Sequence, residues 1–219
     1  NTHRATKNTS PVSDIDTFSA GGSHILTLLD NTEVWGWGTN YYSQLGNGST
    51  EWDFPDPVQA LGEGGVGYLT GITAVSAGAN HSLAVDDSGA VWAWGYNNYG
   101  ELGDGTTGGE KNIPVRVCAN YSGSCLEYFS GAVAVSAGDY HSFAIKSDGT
   151  LWAWGDNDYG ELGDGTNNID RLTPVQVCQT YSGSCTQYFT GVEKVSAGNM
   201  HSCAMKTGGS AWCWGSGSM

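Results

Sequence analysis

Apolar and polar residues alternate with a period of two along most of this chain. From His81 the sequence runs Ser-Leu-Ala-Val, turns through residues 86–90 and returns as Val-Trp-Ala-Trp-Gly, ending at Gly95. Such alternation around a short loop containing glycine predicts an antiparallel β-hairpin, because successive strand residues point to opposite faces. No segment shows the 3.6-residue apolar period of a long helix. The pattern therefore predicts an all-β chain.

The same pattern occurs four times. Each copy has Ser-Ala-Gly, two variable residues, a His, and Trp-x-Trp-Gly with its second Trp thirteen residues after the His. The steps between the four histidines are 57, 60 and 60 residues, for His24, His81, His141 and His201. A repeat of this length is one supersecondary unit that must stack on its neighbours to bury a core.

Each unit holds about four short strands with turns at glycine, which is typical of a β-propeller blade. We therefore predict a β-propeller of about four four-stranded blades, either partial or self-completing. A tail at 1–10 precedes four repeats at approximately 11–56, 57–113, 114–173 and 174–219.

The hairpins also predict their own register. If the turn of the second repeat centres on Ser88, each large side chain faces a small one, in the pairs Ser82–Trp94, Leu83–Ala93 and Ala84–Trp92. Complementarity across strands fixes such a register. In the fourth repeat the same register sets Cys203 opposite Cys213, which predicts a disulfide. It also predicts that Trp92, Trp152 and Trp212 lie buried between their hairpins and a neighbouring blade.

The remaining cysteines form two local pairs. Cys118 and Cys125 close one short polar loop, and Cys178 and Cys185 close a near-identical loop 60 residues later. Because disulfides persist in oxidising compartments, three predicted bonds favour a secreted or cell-surface protein.

Charge narrows the choice of partners. Eight Lys and Arg residues against 22 Asp and Glu residues give a net charge of −14. Affinity for nucleic acid and for anionic lipid comes largely from Lys and Arg, so neither is an expected partner. No apolar run approaches the roughly 20 residues needed to span a bilayer, and membrane insertion is not expected.

The repeated residues, Ser-Ala-Gly-x-x-His, Trp-x-Trp-Gly, Leu-Gly-x-Gly-Thr and Pro-Val, resemble the repeat of the regulator of chromosome condensation family over residues 11–215. The resemblance implies a β-propeller, usually of seven blades. The family's founding activity, nucleotide exchange on a nuclear GTPase with chromatin binding, fits neither the acidity nor the cysteines. Secreted bacterial relatives include a propeller that inhibits β-lactamase through one face, which implies a protein-binding role for a bacterial-like secreted member. Four repeats leave a fragment, a tight closed ring or a self-completing protomer as alternatives.

Candidate sites for chemistry are few. The four repeated histidines are interpreted as structural residues bonding within or between blades, against the alternative of metal ligands on a common axis. The segment Asp156–Glu161 resembles the start of a calcium loop but lacks the closing glutamate, so no cofactor is predicted and calcium remains an alternative. No catalytic motif is present, and no enzyme is expected.

Aromatic residues in polar loops are the better candidates for binding. Trp52 and Phe54 interrupt a loop whose later counterparts are polar. Large apolar side chains on a polar rim are typical binding anchors, although these two could instead cap the first blade. Tyrosines recur on one predicted loop face, at Tyr41, Tyr42, Tyr99 and Tyr159.

Three interpretations of function follow. The first is an extracellular structural or interaction protein that assembles head to tail into a filament or ring. Here an N-terminal arm carrying Arg4, Lys7 and Val12 would add to the open strand edge after Gly215 of another copy. The alternative is a soluble inhibitor-like or lectin-like module that binds through the tyrosine-rich face. A hydrolase on the same scaffold is the third and weakest interpretation.

Overall fold

The structure, a computed structural model, describes residues 12–217. These residues form four consecutive antiparallel sheets, here called blades 1 to 4, each with its strands in chain order. Blade 1 contains β1 (Ile15–Ala20), β2 (His24–Leu29), β3 (Val34–Thr39) and β4 (Asp53–Gln59), and blade 2 contains β5 (Ile72–Ala77), β6 (His81–Asp86), β7 (Val91–Tyr96) and β8 (Glu110–Arg116). Blade 3 contains β11 (Ala132–Ala137), β12 (His141–Lys146), β13 (Leu151–Gly155) and β14 (Arg171–Gln176), and blade 4 contains β17 (Val192–Ala197), β18 (His201–Lys206) and β19 (Ala211–Gly215).

The segments between blades have their own structure. A 3-10 turn at Glu63–Gly65 follows blade 1. Two-stranded ribbons follow blades 2 and 3, formed by β9 (Cys118–Tyr121) with β10 (Cys125–Tyr128), and by β15 (Cys178–Tyr181) with β16 (Cys185–Tyr188). The cysteines expected in plain loops therefore lie at the ends of short strands.

The predicted hairpin register is confirmed. In blade 2, β6 and β7 pair Ser82 with Trp94, Leu83 with Ala93 and Ala84 with Trp92. In blade 4, Cys203 lies directly opposite Cys213. All six cysteines are paired, with Cα–Cα distances of 5.7 Å for Cys118–Cys125, 5.7 Å for Cys178–Cys185 and 4.1 Å for Cys203–Cys213.

Each blade ends later in the sequence than the predicted repeat boundary, which fell at a Pro-Val pair. Pro57 and Val58 lie within β4, and Pro114 and Val115 lie within β8. Each pair belongs to the fourth strand of a blade because that strand completes the sheet begun by the preceding hairpin.

The hydrophobic core lies between blades. One face of the blade 2 hairpin carries Trp92 and Trp94 into a cluster with Leu26 and Val34 of blade 1. Its other face carries Leu83 into a cluster with Trp154 of blade 3. Blade 2 thus buries both faces against its neighbours, as expected for a repeat that cannot form a core alone.

Hydrogen bonds repeat at each blade interface. The Nε2 atoms of His24, His81 and His141 lie 2.9, 2.9 and 2.8 Å from the hydroxyls of Ser82, Ser142 and Ser202 in the next blade. Each serine hydroxyl also donates to a loop carbonyl of the earlier blade, at Gln44, Glu101 and Glu161. The indole Nε1 of the second Trp donates to the same carbonyl, from Trp94, Trp154 and Trp214. This network agrees with the structural interpretation of the histidines.

Burial keeps these histidines neutral. It lowers the pKa of His24 to about 4. Burial, with smaller effects of neighbouring histidines, lowers the pKa of His81 and of His141 to about 3. A neutral imidazole carries one N–H, and because each serine hydroxyl donates to a carbonyl, the Nε2–H donates to the serine oxygen.

Blade 4 differs at its outer side. His201 is exposed there, and the described part of the chain gives it no following blade. The prediction that Trp212 is buried is wrong, since its side chain is 41% exposed. The sheets give the reason: Trp92 and Trp152 pair with Arg116 and Gln176 of a fourth strand, whereas blade 4 has three strands within residues 12–217.

Within residues 12–217, no helix has both the length and the apolar character required to cross a bilayer.

Candidate functional site

One face of the array is built from the loops that follow the third strands. In blade 2, the buried Asn97 side chain holds this loop, accepting the Leu102 N–H at 3.0 Å and donating to the Thr106 carbonyl at 3.1 Å. Asn40 and Asn157 hold the equivalent loops of blades 1 and 3 by the same bond to a leucine N–H. A repeated asparagine thus gives the three loops one shape.

A second buried side chain positions the tyrosines. Gln44, Glu101 and Glu161 accept the backbone N–H of Tyr42, Tyr99 and Tyr159 at 2.9, 2.9 and 2.7 Å. Burial, with smaller effects of the charges of Asp156 and Asp170, raises the pKa of Glu101 to about 8. Glu101 is therefore largely protonated at neutral pH and matches the neutral amide of Gln44.

Six aromatic side chains form a continuous surface on this face, here called the aromatic strip. Ring centroids lie 5.6 Å apart for Tyr41–Trp52, 4.8 Å for Tyr41–Tyr42 and 4.9 Å for Tyr42–Tyr96. The strip continues to Tyr99 and Tyr140, which lie 6.4 Å from Tyr96 and 5.5 Å from each other. Edge-to-face and tilted contacts at these distances stabilise aromatic clusters. The strip crosses blades 1 to 3, so no single repeat contains it.

The strip includes four of the six aromatic residues proposed from the sequence. Trp52 is 70% exposed and Tyr41 54% exposed, and both lie at the blade 1 end. Phe54 instead pairs with Gly38 inside blade 1. Tyr159 is exposed on the blade 3 loop but, among the described residues, its ring stacks on no other aromatic side chain.

Sequence reasoning missed Tyr96 and Tyr140. Tyr96 follows Trp-x-Trp-Gly, and Tyr140 precedes the repeated His, so both occupy variable positions beside the conserved pattern of the repeat. The available signal was that each of these positions is aromatic in one copy, Tyr96 in the second repeat and Tyr140 in the third. The two copies are neighbours in the array.

Three carboxylates adjoin the strip on blade 3, here called the acidic triad. Ligand oxygens of Asp156, Asp158 and Asp170 all lie within 4.8 Å of one another. The sequence singled out Asp156 and Asp158 as the start of a calcium loop, whereas Asp170 comes from the other end of the same loop. Glu161 does not join them, because its carboxylate holds the Tyr159 N–H.

Fold and interfaces together define the class of protein, an open array of stacked β-propeller blades. Models of the regulator of chromosome condensation (RCC1) repeat match residues 32–85, 88–145 and 148–205, and a second model of the same repeat matches 72–101, 132–161 and 192–219. The chain belongs to the RCC1 repeat family.

Curated relatives share the repeat at moderate identity. The chain is 32% identical to the ultraviolet-B receptor UVR8 of Arabidopsis thaliana over 93% of this chain and 53% of the receptor. It is also 32% identical to the probable E3 ubiquitin-protein ligase HERC6 of Homo sapiens, over 95% of this chain and 19% of the ligase. The chain therefore spans about half or less of the length of these relatives.

Solved structures show the same fold. Human WBSCR16 superposes with a TM-score of 0.71 at 23% identity, covering 92% of this chain and 47% of that one. Yeast RCC1 (Prp20), in a complex with Kap60, superposes with a TM-score of 0.71 at 24% identity, covering 94% of this chain and 45% of that one.

Proposed function

We propose that this chain is a non-enzymatic, extracellular protein-interaction propeller that binds a protein partner through the aromatic strip. The observation that carries the proposal is the continuity of six aromatic rings across three blades. Tyrosine and tryptophan dominate binding energy at protein interfaces because they bury large areas at low entropic cost. A shallow surface of this kind fits a protein epitope.

Burial of the repeated polar pairs supports a non-enzymatic role. The Ser–His pairs could suggest nucleophilic catalysis, yet His81, Ser142, His141 and Ser202 are all 0% exposed. A substrate cannot reach a nucleophile enclosed between two blades. The three disulfides support an extracellular location, since reducing compartments keep thiols free.

Comparison of wild type with a loop-face variant tests the proposal. Tyr41→Ser with Tyr99→Ser removes two exposed rings from the strip, whereas Tyr128→Ser with Tyr188→Ser removes two exposed tyrosines from the ribbons. Each protein is used to capture partners from the medium of the source culture, and the affinity for an identified and purified partner is then measured. We expect at least tenfold weaker binding for the strip variant only. Equal binding by all three proteins contradicts the proposal.

Head-to-tail assembly is a second candidate, favoured by the side chains exposed at both ends of the array. Phe18 of blade 1 is 72% exposed, and Ala211 and Cys213 on the outer face of blade 4 are also exposed. Direct stacking of one copy's blade 4 on another's blade 1 would set His201 against Ile25, which has no hydroxyl to replace the serine of the internal interfaces. Assembly through strand addition at Gly215, at the edge of β19, avoids this mismatch. Of the proposed arm, Arg4 and Lys7 lie outside the described residues.

Light scattering tests the assembly. The full chain is expected to form large species that a protein without residues 1–10 does not form. Assembly of the truncated protein would show that the arm is not the connector, and a monomeric full chain at high concentration would overturn assembly itself.

A further inference from the structure

The acidic triad forms no ion pair with a basic side chain of residues 12–217. Among residues 12–217, the two ion pairs join Lys111 to Asp104 and Arg171 to Asp164, and neither involves the triad. Arg171 follows Asp170 directly, but its Nε donates to Asp164 at 2.7 Å. Three carboxylates thus share a small surface without a neutralising cation from this part of the chain.

Crowding of these charges has a measurable effect. Burial raises the pKa of Asp156, and the nearby charges of Asp158 and Asp170 raise it further. Ionising Asp156 therefore costs more free energy than ionising an ordinary aspartate, and a bound cation would offset that cost. Two of the three carboxylates also accept backbone hydrogen bonds. The Asp158 N–H donates to Asp156 and the Asn157 N–H donates to Asp170, each at 3.1 Å. These bonds fix the positions of the oxygens.

The triad and the aromatic strip form one surface. The Asp156 N–H donates to the Tyr140 carbonyl at 3.0 Å, and the ring centroids of Tyr140 and Tyr99 lie 5.5 Å apart. Burial raises the pKa of Tyr99, and the charges of Asp156 and Asp158 add to this effect, as expected for carboxylates on the same surface. Ring faces of the aromatic strip and carboxylates of the acidic triad therefore lie side by side on one surface.

We propose that this combined surface binds a segment of a protein partner that carries arginine or lysine, with the cationic group between the triad and the rings of Tyr99 and Tyr140. The inference rests on the proposed function and names the chemistry of the partner. Guanidinium donates a planar fork of N–H groups to carboxylates and also stacks on aromatic faces, so both halves of the surface contribute. The net charge of −14 adds long-range attraction for a basic segment.

The chain uses the same pairing internally. The Arg116 guanidinium lies 5.5 Å from the Trp92 ring centroid and 4.6 Å from that of Tyr128. A hydrated metal ion would gain little from the exposed rings, and two triad carboxylates already bind backbone amides. The observations therefore favour an organic cation over calcium.

The experiment uses synthetic peptides as probes. One peptide has three arginines spaced by glycine and serine, and its control replaces each arginine by citrulline, which keeps the shape and removes the charge. Asp158→Asn with Asp170→Asn removes two exposed charges and retains the oxygen that holds the Asn157 N–H. Asp87→Asn with Glu193→Gln is the matched control, because it removes two exposed charges elsewhere. Equal thermal unfolding of the variants is verified first.

We expect the arginine peptide to bind wild type and the matched control equally, and to bind the triad variant at least tenfold more weakly. The citrulline peptide should bind wild type at least tenfold more weakly than the arginine peptide. Equal binding of the arginine peptide to all three proteins would show only general attraction to an acidic surface and overturn the proposal. No peptide binding, equal citrulline binding, or displacement of the peptide by micromolar calcium chloride would also overturn it. None of these results affects the proposed function, because partner capture by the tyrosine variants tests that separately.

Discussion

The Nε2 atom of His141 lies 2.8 Å from the hydroxyl of Ser202, although 61 residues separate the two in sequence. The same hydroxyl donates to the Glu161 carbonyl at 2.9 Å, which also accepts the Trp214 indole N–H at 2.8 Å. An Nε2–H, a hydroxyl, a carbonyl and an indole N–H from two blades are thus bonded to one another at this interface. Because a buried polar group left without a partner costs about 1–3 kcal/mol, this arrangement strongly favours one relative position of the blades.

The network predicts that equivalent histidines differ in their contribution to stability. His81 is 0% exposed and bonds Ser142 of the next blade, whereas His201 is exposed. His81→Ala should lower the free energy of unfolding by roughly 2–4 kcal/mol, through a cavity and the loss of a buried hydrogen bond to Ser142. His201→Ala is the matched control and should cost under about 0.5 kcal/mol, as surface substitutions usually do. Equal losses in urea unfolding would contradict the role of the next blade.

Glycine in Ser-Ala-Gly should be required only where another blade follows. A Cβ on Gly138 would lie 2.6 Å from the Gly198 carbonyl oxygen of blade 4, a backbone atom that cannot move without shifting the blade. The atoms nearest to a Cβ on Gly198 would be those of the His201 ring of its own blade, the first at 2.7 Å. Gly138→Ala should therefore cost roughly 1–3 kcal/mol, as overpacking does, and Gly198→Ala clearly less. Thermal unfolding of both variants measures the difference, and a larger loss for Gly198→Ala would refute this explanation.

Local rules predicted the hairpins and their disulfide. Pairing of large with small side chains fixed the register of β18 and β19, so Cys203 and Cys213 could be joined from the sequence alone. The burial of Trp212 could not be predicted in the same way. Its exposure depends on a fourth strand that blade 4 does not have among the described residues, and strand order is a property of the whole sheet.

Contacts between blades were beyond sequence reasoning for a different reason. The repeat indicated that His141 is structural, but its partner Ser202 is defined only by how two blades stack. Likewise Tyr140 joins the aromatic strip because a turn of blade 3 meets a loop of blade 2. The acidic triad combines residues from both ends of one loop, and spacing alone suggested only Asp156 and Asp158.

The buried histidines predict a loss of stability in acid. The pKa of His81 is about 3 in the folded chain, against about 6.5 for an unperturbed histidine. Between these values the unfolded chain binds a proton that the folded chain does not, so stability falls as pH falls through this window. The contribution is about 1.4 kcal/mol per pH unit. The difference in unfolding free energy between wild type and His81→Ala should therefore decrease by about 1.4 kcal/mol for each pH unit below 6.5. A difference that stays constant with pH would contradict the lowered pKa.

Glu101 predicts the opposite dependence at higher pH. Burial raises its pKa to about 8 in the folded chain, well above the 4.5 of an ordinary glutamate. Between these values the folded chain holds a proton that the unfolded chain has lost, so stability falls as pH rises from 4.5 to 8 and is constant above. Gln44 fills the equivalent position in blade 1 and bonds the Tyr42 N–H without an ionisable group.

Glu101→Gln should therefore stabilise the chain increasingly as pH rises. Glutamine retains an oxygen for the Tyr99 N–H, and the gain in unfolding free energy should reach roughly 3–5 kcal/mol at pH 9, an upper bound from a shift of about 3.5 units at 1.4 kcal/mol each. Glu127→Gln removes the same charge from an exposed ribbon and is the matched control. Denaturant unfolding at pH 5, 7 and 9 measures both variants. A gain from Glu101→Gln that does not grow with pH would show that this carboxyl is already ionised in the folded chain.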